Sequence, residues 1–419
     1  MSGLTIAAAP PLRRPLRFLL TAPLWGMTAG GWLMAHGETA MTSRWAIPTV
    51  VLVHLFTLGV LANAMLGSLL QFLPVAAGSR ICLHRSAAWL HALLNIGLLL
   101  FVPAMMLAHP LALTMASLLL AGALLGFAVA ALNGLIRGSG SRVLRAGIAM
   151  AVSALAPTAL LGVALVAIVL GRLAWPIDRV ADLHAASGLL GWVLMLMMAV
   201  GAVTLPMFQG TRRIPDAAQW SWQAIALAGL IVGGSARWNG MPMLAAVGIA
   251  VPVLLFAGTS LLLQLGAPRR RNPVLTLFWM LGTVAIAAAG LLLLAESAHA
   301  HQDRAVLIGA LFIGIGLPSM LTGMMLEIVG FLSWIDLRRR CARGIRIPGV
   351  DTLLPETDKR WALAAHGVSA LALLAAALRP ALAGTAGALL LAAYAVALWC
   401  LLRCLRRSAV FARENRQQR

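Results

Sequence analysis

Apolar runs of twenty or more residues recur along the whole chain, and they leave few folds open. A run of that length crosses the roughly 30 Å hydrocarbon core as one helix, at about 1.5 Å per residue. Inside hydrocarbon every backbone N–H and C=O must be paired within its own helix or around a closed barrel. A barrel needs period-two alternation with a polar lumen face, and these runs show none. The chain is 61% hydrophobic and only 11% charged over 419 residues. A soluble domain of that composition would have too little polar surface to cover itself. The expected fold class is therefore all-α: a polytopic membrane bundle forming one transmembrane domain over 1–419.

The runs predict twelve spans, near 16–35, 46–76, 84–108, 111–136, 145–171, 179–208, 218–237, 241–265, 273–296, 305–335, 360–379 and 383–405. Pro110, Pro176, Pro215, Pro268, Pro273 and Pro380 stand at junctions. Pro157 and Pro318 fall inside spans, where a missing N–H predicts a kink. The segment 338–359 reads as a cytoplasmic loop and 406–419 as a basic cytoplasmic tail, lying on anionic headgroups or disordered.

A net charge of +20 raises nucleic acid as a partner. The basic residues instead sit in short clusters between apolar runs, with no basic arm and no basic surface interleaved with aromatics, so no nucleic-acid partner is expected. Placing both termini in the cytoplasm puts 26 of the 32 basic residues in inner segments and leaves only Arg44, Arg172, Arg179, Arg237, Arg304 and Arg379 outside. That asymmetry is the positive-inside pattern. It predicts a multi-pass protein of the bacterial inner membrane. The apolar residues after Arg13-Arg14 lack a cleavage signal and read as a retained first helix. Cys82, Cys341, Cys400 and Cys404 all fall toward the cytoplasmic side, where reduced thiols are expected.

Histidines supply the chemistry. Val53-His54-Leu55-Phe56-Thr57-Leu58-Gly59 opens a run that ends at Leu73-Pro74, and Asp182-Leu183-His184 opens one that ends at Leu205-Pro206. His91 and His366 lie early in spans three and eleven. Spans two and six run inward and spans three and eleven run outward, so two histidine layers are expected about 10 Å apart along the membrane normal. The spacing by four and by eight spans fits an internal repeat of three four-helix units. A lone buried histidine is more often a hydrogen-bonded core residue. Four at paired depths, in a chain poor in buried polar groups, argue for haem or metal. Gly59, Gly67, Gly188 and Gly191 are expected to leave room for a macrocycle. His36, His84, His109, His299 and His301 lie at span ends or in loops. His299 and His301 form a weak peripheral metal candidate.

The stretch from His54 through Gln71-Phe72-Leu73-Pro74 resembles span two of haem-copper-oxidase-like membrane proteins, the relatives of oxidase subunit I that include the NnrS-type proteins linked to nitric oxide stress. Asp182 through Gly191-Trp192 to Pro206-Met207-Phe208 resembles their sixth span, and Ile328-Val329-Gly330-Phe331-Leu332-Ser333-Trp334 is similar to the close of their tenth. The resemblance implies haem b, one or two, with His54, His184, His91 and His366 as candidate ligands. It places His184 where oxidases hold copper. It also implies electron transfer or nitric oxide binding, with a quinone or cytochrome as electron donor. Against a full oxygen-reducing centre, span seven reads Gln219-Trp220-Ser221-Trp222-Gln223 where oxidases carry histidines. Span ten has none, Asp336 stands where related members close with histidine, and the only tyrosine is Tyr394.

Glu327 is the one carboxylate placed deep in a span, and it reads as a proton relay or as the partner of a histidine. Membrane lipid and a second copy of the chain are further expected partners. Two other functions fit the same spans. One is a secondary transporter of a small solute or of a metal such as copper, and the other is a non-catalytic assembly partner of a respiratory complex.

Overall fold

Every described element that could lie in hydrocarbon is a helix, as the backbone argument requires. A computed structural model describes residues 8–79, 86–269, 271–298, 304–342 and 344–415. Ten of its helices are long and apolar enough to cross a membrane. We number the long helices in chain order. They are α1 (Arg13–Ala40), α2 (Ile47–Ala76), α3 (Ala87–Met106), α4 (Pro110–Ile136), α5 (Arg142–Val169), α6 (Ile177–Gln209), α7 (Asp216–Trp238), α8 (Pro242–Leu265), α9 (Pro273–Ala298), α10 (Ala305–Arg340), α11 (Glu356–Leu378) and α12 (Pro380–Glu414). The two outside that set of ten, α1 and α7, are 28 and 23 residues long and less apolar than the others.

The chain folds as two compact units. One comprises Met1–Phe72, Asn272–Gly282 and Phe312–Arg419, and the other Leu73–Arg271 and Thr283–Leu311. In the first, α1 lies along α12 with little between the backbones. A Cβ on Gly30 would sit 2.5 Å from the Leu391 nitrogen, and one on Gly37 would sit 2.5 Å from Ala383 Cβ. Packing of this kind replaces the hydrophobic effect that lipid cannot supply between helices. It also accounts for three of the four glycines of α1, since Gly26, Gly30 and Gly37 each lie against α12. In the second unit, Gly229 and Gly233 of α7 meet Gly248 of α8, and a Cβ on Gly229 would lie 2.2 Å from the Gly248 carbonyl oxygen.

Three helices are interrupted by wider π-helical turns: α2 at Leu55–Ala62, α6 at Ser187–Leu194 and again at Leu205–Gln209, and α10 at Ala310–Gly316. They are four helices apart, which is the spacing expected of the internal repeat. Local chemistry accounts for three of the four. Asn63 Nδ2 donates to the Leu58 and Gly59 carbonyls at 3.1 and 3.0 Å, which satisfies groups that the wider turn offers. Pro206 lies inside the second interruption of α6 and Pro318 just beyond that of α10, and each removes a ladder donor. The kink expected at Pro157 is present as a break at Ala154, between Arg142–Ser153 and Leu155–Val169.

The segment expected as a loop at 338–359 is shorter than predicted. Helix α10 runs on to Arg340, a short helix covers Val350–Leu353, and α11 already includes Asp358 and Lys359. The expected tail likewise continues α12 to Glu414, with Ser408 and Ala412 buried against the first unit.

Candidate functional site: two held imidazoles and a polar seam

His54 ends the α-helical lead of α2, directly before its π turn. The lead is fixed from α1. Trp32 Nε1 donates to the Pro48 carbonyl at 3.0 Å, and Thr49 Oγ1 reaches the Ala40 carbonyl at 2.7 Å. The half-buried His54 ring places Nδ1 2.7 Å from the Val50 carbonyl oxygen. A carbonyl can only accept, so Nδ1 carries the hydrogen.

His184 has the same chemistry in the second unit. Its Nδ1 lies 2.9 Å from the Thr158 carbonyl oxygen of α5, so Nδ1 again carries the hydrogen. Gly162, one turn further along α5, makes room for the ring, because a Cβ there would lie 3.2 Å from His184 Cε1. The lead turns of α6 are clamped to α7. Arg237 bonds Asp182 at 2.6 Å and Asp178 at 2.7 Å, and Arg179 Nη1 donates to the Trp238 carbonyl at 2.5 Å. Asp178 and Asp182 are four residues apart and so share a helix face.

The expected room for a macrocycle beside the glycines is not there. A Cβ on Gly59 would meet Trp25 at 2.7 Å, on Gly67 Phe18 at 2.7 Å, on Gly191 Ala154 at 2.8 Å, and on Gly188 Thr158 at 3.3 Å. These glycines serve close helix packing, a role that sequence cannot distinguish from a ligand cavity.

The other candidates have different surroundings. His91 is half-buried on α3, and its carbonyl accepts from Asn95 at 2.7 Å. His366 is 3% exposed. Its Nε2 lies 3.1 Å from Ser319 Oγ, whose own hydrogen goes to the Ile315 carbonyl at 2.6 Å, so the histidine is the donor. Phe278 and Tyr394 flank the ring at centroid distances of 5.6 and 6.1 Å. His84, His299 and His301 lie outside the described residues. Among the described residues no three His, Cys, Asp or Glu side chains come together as a metal site. Cys400 and Cys404 turn to separate acceptors, the Asp358 carbonyl at 3.3 Å and Ser333 Oγ at 3.8 Å.

Glu327 has a partner that sequence reading missed. Lys359 Nζ donates to Glu327 Oε1, and the two side chains are 8% and 3% exposed. Beside them the buried Asp358 takes Arg403 at 3.0 Å and Arg407 at 2.7 Å. Along antiparallel α10 and α11 the Glu327–Lys359 and Ser319–His366 pairs lie about two turns apart, on the order of 10 Å. One signal was legible. Lys359 is the only lysine among 32 basic residues, so its position carried information that a count of charges discards.

Compared with known proteins, the chain matches no family model and no curated protein.

Proposed function

We propose that the protein is a b-type haem protein of the bacterial inner membrane, resembling haem-copper oxidase subunit I and NnrS-type proteins. It acts in electron transfer or in binding nitric oxide or another diatomic gas, and not in full oxygen reduction. In this reading α1 and α7 complete a set of twelve spans, with both termini cytoplasmic. The observation that carries it is the matched treatment of His54 and His184. Each Nδ1 is tied to a main-chain carbonyl, the kind of outer-shell bond that orients a ligating imidazole. His54 and His184 would each serve as a haem ligand in its own unit, with Val50 and Thr158 fixing the respective ring planes. Haem would supply reversible one-electron chemistry and a site for a diatomic ligand. His366 suits that role less, because its Nε2 already donates to Ser319. Among the described residues no group of three His, Cys, Asp or Glu side chains gathers at His184, so no copper step is assigned.

Absorption spectra of the purified protein, oxidised and dithionite-reduced, test the reading. A Soret band is expected, lost or shifted in His54→Ala and in His184→Ala and retained in His366→Ala. Absence of the band and of iron after expression with haem supply would overturn it. Metal-dependent uptake into proteoliposomes by such a haem-free protein would favour the transporter instead.

A further inference from the structure

Helices α11 and α12 form a hairpin in the first unit, and small side chains hollow out their shared outer face. Ala364, Ala365 and Val368 on α11 and Ala392 and Val396 on α12 line a groove of about 510 Å³. From Val368 to Asp358 the groove runs ten residues of helix, about 15 Å, or half of a roughly 30 Å hydrocarbon core. That is the depth of one leaflet. Trp361 and Trp399, 72% and 60% exposed, stand at the rim near one end, as aromatic residues do at a headgroup boundary.

The same end is charged. Asp358 and Arg403 close the groove there. Asp358 is 6% exposed and is met by two guanidinium groups, Arg403 at 45% and Arg407 at 30% exposure. Asp358 takes one N–H from each, and Arg407 Nη1 also reaches the Leu353 carbonyl at 3.0 Å, but every guanidinium carries five donors. One carboxylate between two arginines leaves a net positive charge, and the exposed Arg406 adds to it. An apolar channel one leaflet deep, ending in excess arginine, fits an amphiphile with an acyl chain and a net anionic head.

We propose that this groove is a specific site for an anionic glycerophospholipid, with an acyl chain along Ala365 and Ala392 and the phosphate on Arg403 and Arg407. The site is independent of the haem reading, and its test does not use haem. Native mass spectrometry of the full-length protein in mild detergent is run with equal amounts of phosphatidylglycerol and phosphatidylethanolamine. Preferential retention of phosphatidylglycerol is expected. Ala392→Phe fills the groove without touching a charge and is expected to reduce that retention with an unchanged melting temperature. Arg403→Gln is expected to weaken it about fivefold, the effect of one interfacial arginine on an anionic head. Equal retention of the two lipids by the wild-type protein overturns the proposal, whatever the variants do. Undiminished phosphatidylglycerol on a folded Ala392→Phe variant also overturns it, as does displacement of phosphatidylglycerol by a neutral isoprenoid quinone.

Discussion

Lys359 and Glu327 show what a single buried charge costs when its partner is far away in sequence. Each side chain is almost wholly enclosed, and each is tolerable only because the other is present. Lys359→Met alone strands a carboxylate, and Glu327→Gln alone strands an ammonium. Either single variant is expected to lose about 3–5 kcal/mol, and the double variant to recover most of it. Thermal unfolding of the four proteins in one detergent measures this directly. A double variant no better than the singles would mean that the pair is not the unit of stability. Cys341, just past the end of α10, is governed by the same physics. Burial pushes its thiol pKa up, and Asp336 beside it adds to the shift. The neutral thiol therefore persists to higher pH than usual. Maleimide labelling at Cys341 is expected to stay slow at pH 8 in folded protein and to become fast on denaturation.

At the scale of the element, the π turns set the character of α2, α6 and α10. A π turn widens the helix and turns the residues around it relative to an uninterrupted α-helix. In α2 the turn is supported by Asn63, whose amide meets two carbonyls. Asn63→Ala is expected to cost about 1–3 kcal/mol for the two acceptors it abandons. If His54 holds haem, it is also expected to lower haem occupancy, read as Soret absorbance per protein. Asn63→Asp keeps only an acceptor there and is expected to be no better than alanine. Helix seams make a separate claim. Gly30→Leu on α1 and Gly248→Leu on α8 place side-chain atoms against backbone, which cannot give way as a flexible side chain does. Each is expected to destabilise by about 1–3 kcal/mol or more, whereas leucine at Gly31, which faces open space, is expected to be neutral. The proline-marked ends of spans two and six were visible in the sequence. The π turns were not, because a proline or an asparagine inside an apolar run is equally consistent with a kink.

At the scale of the whole molecule, the proposed twelve spans, with charge alternating from loop to loop, predict a definite topology. Alkaline phosphatase fused after Arg172, between α5 and α6, is expected to be active, and after Leu265, between α8 and α9, inactive. The reverse pattern would invert the reading of every arginine cluster. The all-helical class and the long apolar helices were legible in the sequence alone, because each depends on a local run of residues measured against the thickness of hydrocarbon. The presence of histidines within apolar runs was likewise plain from composition. Tertiary structure alone decided which polar groups meet: Glu327 with Lys359, His366 with Ser319 and Tyr394, Arg237 with Asp178 and Asp182. It also decided that the glycines near His54 and His184 admit neighbouring helices and not a cavity. The reason is physical. A buried polar group must find a partner, but which one it finds depends on how helices distant in sequence are packed and rotated, and no local pattern encodes that.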